Sequence, residues 1–232
     1  MRVAIMQPYF LPYIGYFQLI RAVDVFVVYD NIKYTKSGWI NRNRMLNDGK
    51  DVVFSLPLKS ASDYCNVVER ELAASFDRRK LLNQMTAAYR RAPYFAQTLP
   101  LLERVLLCDE NNLFRFIKHS LIATCEHLGI ATEFLVSSTI AIDHSLKSQD
   151  KVLALCTALG ATTYINAIGG RDLYAKGAFK DRGVELLFIQ PKPFVYRQFE
   201  NEFVPWLSIV DVLMFAPYKQ VVAALTENYE LI

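Results

Sequence analysis

Apolar residues run through this chain in short bursts, each ended by turn-forming residues, and the bursts alternate between two periods. Val3 to Ile5 is a brief apolar run with no polar alternation, the pattern of a central strand buried on both faces. Pro8 and Pro12 cannot continue it, so the chain must turn before a helix carrying Phe17, Leu19 and Ile20. DVFVVYD, Asp24 to Asp30, predicts a second buried strand. Asn47-Asp48-Gly49-Lys50 is a turn signal that makes Ile40 to Lys59 a β-hairpin.

From Asp77 to Gly129 the spacing becomes helical. Asp77 caps a helix running to Arg91, Pro93 breaks it, and a second helix covers about Leu99 to Leu107. Asn111 or Asn112 opens a third, in which Leu113, Phe116, Ile117, Ser120 and Leu121 repeat before Gly129 ends it. Beyond that, Glu133 to Val136 predicts a strand, and Ser148 caps a helix whose apolar positions Val152, Leu155, Cys156 and Leu159 stop at Gly160. ATTYINAI and Gly183 to Phe188 add strands, and LSIVDVLMF is an apolar helix or strand carrying one carboxylate, Asp211, which needs a partner. The expected fold is α/β: a mostly parallel sheet with strands starting near Val3, Val25, Thr132, Thr163 and Glu185, helices on both faces, a β-hairpin and a helical insertion. Residues 1–232 are expected to form one domain, with 77–129 its helical layer.

Composition narrows the function classes. A hydrophobic share of 53%, with 13 Tyr and 15 Phe, excludes disorder and leaves room for a homodimer, while a formal charge of +3 is too small to imply a nucleic-acid partner. Cys65, Cys108, Cys125 and Cys156 are widely spaced without a CxxC, which suits reduced core thiols rather than zinc or a redox pair. No signal peptide is apparent and no stretch approaches the roughly 20 apolar residues of a membrane span, so a cytoplasmic protein is expected.

Candidate chemistry collects at strand ends. Gln7 and Tyr13 follow the first strand, and Gly15 and Tyr16 open its helix, whose free amides suit an anionic group. After the second strand, no acidic residue occurs from Asn31 to Leu46, while Lys33, Lys36, Arg42 and Arg44 crowd together with Tyr34 and Trp39 between them. Charges this close either point separately into water or converge on an anion. Their place after a strand, among Asn31, Asn41 and Asn43, favours convergence. A third group, Asn166, Gly169, Gly170, Arg171 and Tyr174, follows a later strand, with glycines that allow close backbone approach and an arginine suited to carboxylate or phosphate. Parallel strands would place all three groups in one crevice. His119 and His127 lack an HExxH pattern and read as surface or packing residues; Asp143-His144-Ser145 is rejected as a hydrolytic triad, because adjacent side chains diverge. No metal site is expected, since the motifs hold few carboxylates beyond Asp30, Asp172 and Asp211.

The segments MQPYFLPYIGYFQLI, YDNIKYTKSGWINRNR, SQDKVLALCTALGATTYINAIGGRDLY and LSIVDVLMF together resemble the WbqC-like family along nearly the whole chain. That resemblance implies a place among the genes for bacterial surface polysaccharides such as O-antigen, and a role in adding a glycyl or other small acyl group to an amino sugar. More distantly, AIMQPYFLPYIGYFQLI is similar to nucleotidylyltransferases with a paired-histidine phosphate motif: Gly15 matches, and Tyr16 stands where a histidine would be. Tyrosine donates to phosphate but carries no imidazolium charge, which weighs against nucleotidyl transfer and leaves nucleotide binding.

Three functions follow. In the first, a transferase takes an anionic nucleotide-linked or thioester donor and a sugar acceptor. Lys33, Lys36, Arg42 and Arg171 neutralise the donor, Gln7, Tyr13, Asn31 and Asn166 position the acceptor, and Lys36 or Tyr34 assists proton transfer. The second is a nucleotidyltransferase-like enzyme using a nucleoside triphosphate with Mg²⁺. The third is a non-catalytic carbohydrate-binding or assembly module.

Overall fold

The computed structural model describes residues 1–200 and 202–232. Its central sheet has six strands in the order β5-β2-β1-β6-β7-β8, formed by β1 (Arg2–Met6), β2 (Val25–Val28), β5 (Glu133–Val136), β6 (Thr163–Ala167), β7 (Glu185–Pro191) and β8 (Tyr229–Leu231). Every pairing is parallel except that of β8, which runs antiparallel along β7. From β1 the chain adds strands outward on one side through β2 and β5, then crosses to the other side of β1 to lay down β6 and β7. The expected mostly parallel α/β sheet is therefore present. β8 had no strand signal of its own in the sequence.

Alternation along the strands divides the core in two. Ala4, Phe26, Val28 and Ile165 face one side, packed with α1 (Ile14–Arg21), the helical layer and the C-terminal helices α7 (Ile209–Phe215) and α8 (Tyr218–Glu227). Val3, Ile5, Val25, Val27 and Tyr164 face the other, against α5 (Ser148–Ala158) and α6 (Lys176–Lys180). A period of two, with both faces apolar, is why these strands read as uninterrupted hydrophobic runs.

The helical layer is α2 (Arg78–Tyr89), α3 (Phe95–Leu106) and α4 (Leu113–His127). Asp77 and Asn112 cap α2 and α4 by accepting the backbone N–H of Lys80 and Arg115. α3 begins four residues before the expected Leu99 and carries Pro100 inside it, where the sequence had suggested a helix start. Ser148 likewise does not cap α5: Lys147 stands at the cap and Ser148 is the first helical residue. The expected hairpin is β3 (Arg42–Asn47) with β4 (Lys50–Ser55), paired antiparallel. It clamps the loop after β1, since Asn43 Nδ2 donates to the carbonyls of Phe10 and Leu11 at 3.2 and 2.9 Å, and the Phe10 ring lies 5.9 Å from Phe54.

LSIVDVLMF is helical, capped by Ser208, and Asp211 has its partners. The fully buried carboxylate accepts from Tyr89 Oη at 3.0 Å, Tyr196 Oη at 2.6 Å and Gln198 Nε2 at 2.6 Å. Among the described residues no helix is long and apolar enough to cross a membrane.

Candidate functional site at the carboxyl end of the sheet

The neighbours of β1 leave it at different points. With β2 it pairs through Met6↔Val28, and the Tyr29 N–H then donates to the Met6 carbonyl at 2.8 Å. With β6 it pairs only at Arg2↔Thr163 and Val3↔Tyr164, so the carboxyl ends of β1 and β6 part. This is where strand order switches direction, the position at which open α/β sheets bind ligands. Gln7, Asn31 and Asn166 stand just past or at the ends of β1, β2 and β6, so the structure brings these three to one end of the sheet.

Each is held by its own contacts. The Gln7 carbonyl accepts from Tyr16 Oη at 2.7 Å, and its side-chain Oε1 accepts from Tyr9 Oη at 3.3 Å. Tyr16 is buried, and burial pushes its pKa well above the ordinary tyrosine value, keeping the hydroxyl a donor. It stands behind the loop and supports Gln7. Asn31 has its amide nitrogen 3.0 Å from His144 Nδ1 and its oxygen 2.9 Å from Ser137 Oγ. Beside it, buried Asp30 accepts from Ser137 Oγ, Ser138 N and Ser138 Oγ at 2.7, 3.0 and 2.7 Å, tying the end of β2 to the turn after β5. Asn166 Oδ1 accepts the Ala167 N–H at 2.8 Å. A Cβ on Gly170 would come within 2.6 Å of the Asn166 amide nitrogen, so that glycine lets the turn close; Gly169 has open space around it. Arg171 is exposed, and Tyr174 turns back so that its ring lies 5.8 Å from Tyr164.

The basic segment behaves differently from a convergent cluster, because tertiary neighbours divide it. Lys36 pairs with Asp63 at 2.7 Å, both exposed, and Lys33 lies 5.1 Å over the Tyr64 ring. Arg42 donates to the carbonyls of Gly38 and Ser37 at 3.0 and 2.6 Å and stacks on Trp39. Arg44 pairs with Asp51 at 2.9 Å. Tyr34 is buried under Arg70 and donates to Asn41 Oδ1 at 2.8 Å, while the Asn41 amide donates to the Leu56 carbonyl. Desolvation raises the Tyr34 pKa in spite of the nearby cations.

Next to Gln7 lies an aromatic groove enclosing about 210 Å³, lined by Tyr9, Pro12, Tyr13, Trp39, Asn43, Arg44 and Trp206. Both tryptophans of the chain are here, 41% and 55% exposed. Tyr13 meets Trp206 edge to face at 5.9 Å, and Arg44 stacks 5.7 Å from Trp39. Trp206 has φ +61°, a left-handed conformation unfavourable for a bulky residue. Arg44 holds it there, donating from Nη2 to the Trp206 carbonyl at 3.2 Å and accepting the Ser208 N–H on its own carbonyl at 2.9 Å. The sequence identified Tyr13 and Trp39 but not Trp206, which reaches the groove from a segment far along the chain with no local signal.

Lys151 was also missed. It is buried on α5, and its ammonium lies 5.1 Å over the Tyr29 ring. Desolvation lowers its pKa and the charge of Asp30 opposes that shift. Burial, with Tyr174 and Asp30 adding to it, pushes the Tyr29 hydroxyl up to about 12. A signal existed, since Lys151 falls four residues before Leu155, on the stripe that faces the sheet. Among the described residues no three His, Cys, Asp or Glu side chains gather as a metal site.

A model of the WbqC-like protein family matches residues 7–223. A Mycobacterium tuberculosis protein named uncharacterized protein Rv1507c is 28% identical over 217 residues, which cover 91% of this chain and 92% of that one. No solved structure matches the chain. The family match takes in the loop after β1, the basic segment, the aromatic groove and the turn after β6, and on it the chain belongs to the WbqC-like family.

Proposed function

We propose that this protein is a cytoplasmic enzyme of bacterial surface polysaccharide (O-antigen) biosynthesis that transfers a small acyl or aminoacyl group, such as glycyl, to an amino sugar. The observation that supports this most is the groove in which both tryptophans of the chain, partly exposed, meet Tyr9 and Tyr13. The apolar C–H faces of a pyranose pack on aromatic faces, and Arg44 and the neighbouring Gln7 offer polar groups for its hydroxyls. The donor, nucleotide-linked or thioester, enters at the sheet end beside Gln7, Asn31, Asn166 and Arg171, and catalysis comes from orientation and electrostatics. Lys36 and Tyr34 are assigned less of the chemistry than the sequence suggested, because each must first give up a partner, Asp63 or Asn41.

One observation favours a second reading, a non-catalytic carbohydrate-binding module: Lys36, Arg42 and Arg44 have local partners and need no anionic donor. Mass spectrometry of a nucleotide-linked amino sugar incubated with the protein and candidate donors separates the two. A mass gain matching one acyl group supports the transferase. Sugar binding that weakens in Trp39→Ala and Trp206→Ala, with no product from any donor, selects the binding module.

A further inference from the structure

We infer that Lys151, at the start of α5, is the receiving group for an anionic oxygen ligand, a carboxylate or a phosphate, bound beside Tyr29 at the end of β2. Lys151 is 5% exposed, and a lysine ammonium has three N–H groups to satisfy. Among the described residues its ammonium forms no ion pair and donates no hydrogen bond. Its neighbour is the face of Tyr29, which attracts the cation but supplies no acceptor oxygen at the nitrogen. Asp30 contributes its charge, yet its oxygens accept from Ser137 and Ser138 and neither is paired with the Lys151 ammonium.

The nitrogen is nevertheless reachable. Among the described residues the polar atoms sealed from solvent without a partner are Gln18 Oε1 and the Nε atoms of Arg44, Arg70 and Arg78, and Lys151 Nζ is not one of them. What little exposure the residue keeps therefore includes its charged end, while its stem is packed away. A buried cation with open donors and a path to solvent is what an anionic group completes.

The surroundings fit that ligand. Tyr29 follows β2 directly, its backbone bonded to Met6 beside Gln7, and burial keeps its hydroxyl protonated as a further neutral donor. Gln149, on the same first turn of α5, accepts the Ala175 N–H at 2.7 Å, which fixes Lys151 relative to the loop after β6. The amide end of an eleven-residue helix adds favourable potential for negative charge. This site is separate from the aromatic groove and does not depend on the sugar reading.

Inorganic phosphate and acetate, titrated separately into wild type and Lys151→Met, test it through the thermal midpoint. One of the two anions should raise the wild-type midpoint and so identify which oxygen group is preferred. The variant should need about tenfold more of it or greater, the loss expected for one charge-assisted hydrogen bond. An equal rise in both proteins, as a general salt effect would give, overturns the inference, as does no wild-type response to either anion. Should Lys151→Met fail to fold, wild-type protein alone decides: acetylation of Lys151 by acetic anhydride, followed by peptide mass spectrometry, should slow several-fold in the preferred anion relative to exposed Lys147. Equal slowing at both lysines also overturns it. Either failure leaves the sugar reading standing, because that is read at Trp39 and Trp206.

Discussion

Tyr16 Oη donates to the backbone carbonyl of Gln7 across 2.7 Å, so the first turn of α1 reaches back to the residue that leaves β1. The Tyr16 hydroxyl is thus spent on the protein's own main chain. Tyr16→Phe keeps the ring among Tyr9, Phe17 and Phe26 but leaves a half-buried carbonyl without its donor. The expected loss is about 1 kcal/mol, read as a lower urea midpoint with an unchanged slope. An unchanged midpoint would show that water replaces the hydroxyl freely.

Gly15 lies under the Tyr13 ring: an added Cβ would come within 2.4 Å of Tyr13 Cε2 and 2.6 Å of its hydroxyl. The helix backbone tolerates alanine, so the ring must move. Gly15→Ala should therefore fold with near-wild-type stability while displacing Tyr13 from its edge contact with Trp206. Because both tryptophans lie in that groove, the expected readout is a shift in tryptophan emission together with weaker saccharide binding. Unaltered emission and binding would place the ring's position elsewhere in solution.

What the sequence made legible was local. The short apolar runs became β1, β2, β5, β6 and β7, and Asp77 and Asn112 capped their helices, because caps and periodicity are decided within a few residues. The fate of the basic segment was not local. Asp63, Tyr64 and Asp51, which hold Lys36, Lys33 and Arg44, come from the hairpin and the segment after it, and nothing within Asn31 to Leu46 announces them. That Gln7, Asn31 and Asn166 share one end of the sheet could be read ahead because parallel strands end on one side, whereas Trp206 arrives through a left-handed backbone that a tryptophan does not advertise.

The partners of the basic segment are unequal in worth. Lys36 and Asp63 are both exposed, so solvent screens their attraction, and Lys36→Ala should leave the denaturation midpoint within measurement error. Arg42 instead braces the loop through two carbonyls and the Trp39 face, and Arg42→Ala should cost about 1 kcal/mol and loosen Trp39. Chemical denaturation of the two variants side by side checks the order, and a larger loss at Lys36 would contradict it.

Asp211 is the largest buried electrostatic commitment in the C-terminal segment, and its sign can be worked out. Burial raises its carboxyl pKa above the usual 3.8, opposed by hydrogen bonds from Tyr196, Gln198 and Tyr89. Between the ordinary value and the raised one, the folded protein holds a proton that the unfolded chain has released. Stability attributable to Asp211 therefore falls as pH rises through that window, and above it the ionised carboxylate weighs against the fold by a constant amount. Removing the group is still worse than keeping it, because Asp211→Ala leaves Tyr89, Tyr196 and Gln198 without their common acceptor, at a cost of about 3 kcal/mol or more. Asp211→Asn keeps an acceptor oxygen and cannot ionise. Its stability relative to wild type should therefore be lowest near pH 4 and improve toward neutrality, and denaturant midpoints of the two proteins across that range would show a flat difference if burial did not raise the Asp211 pKa.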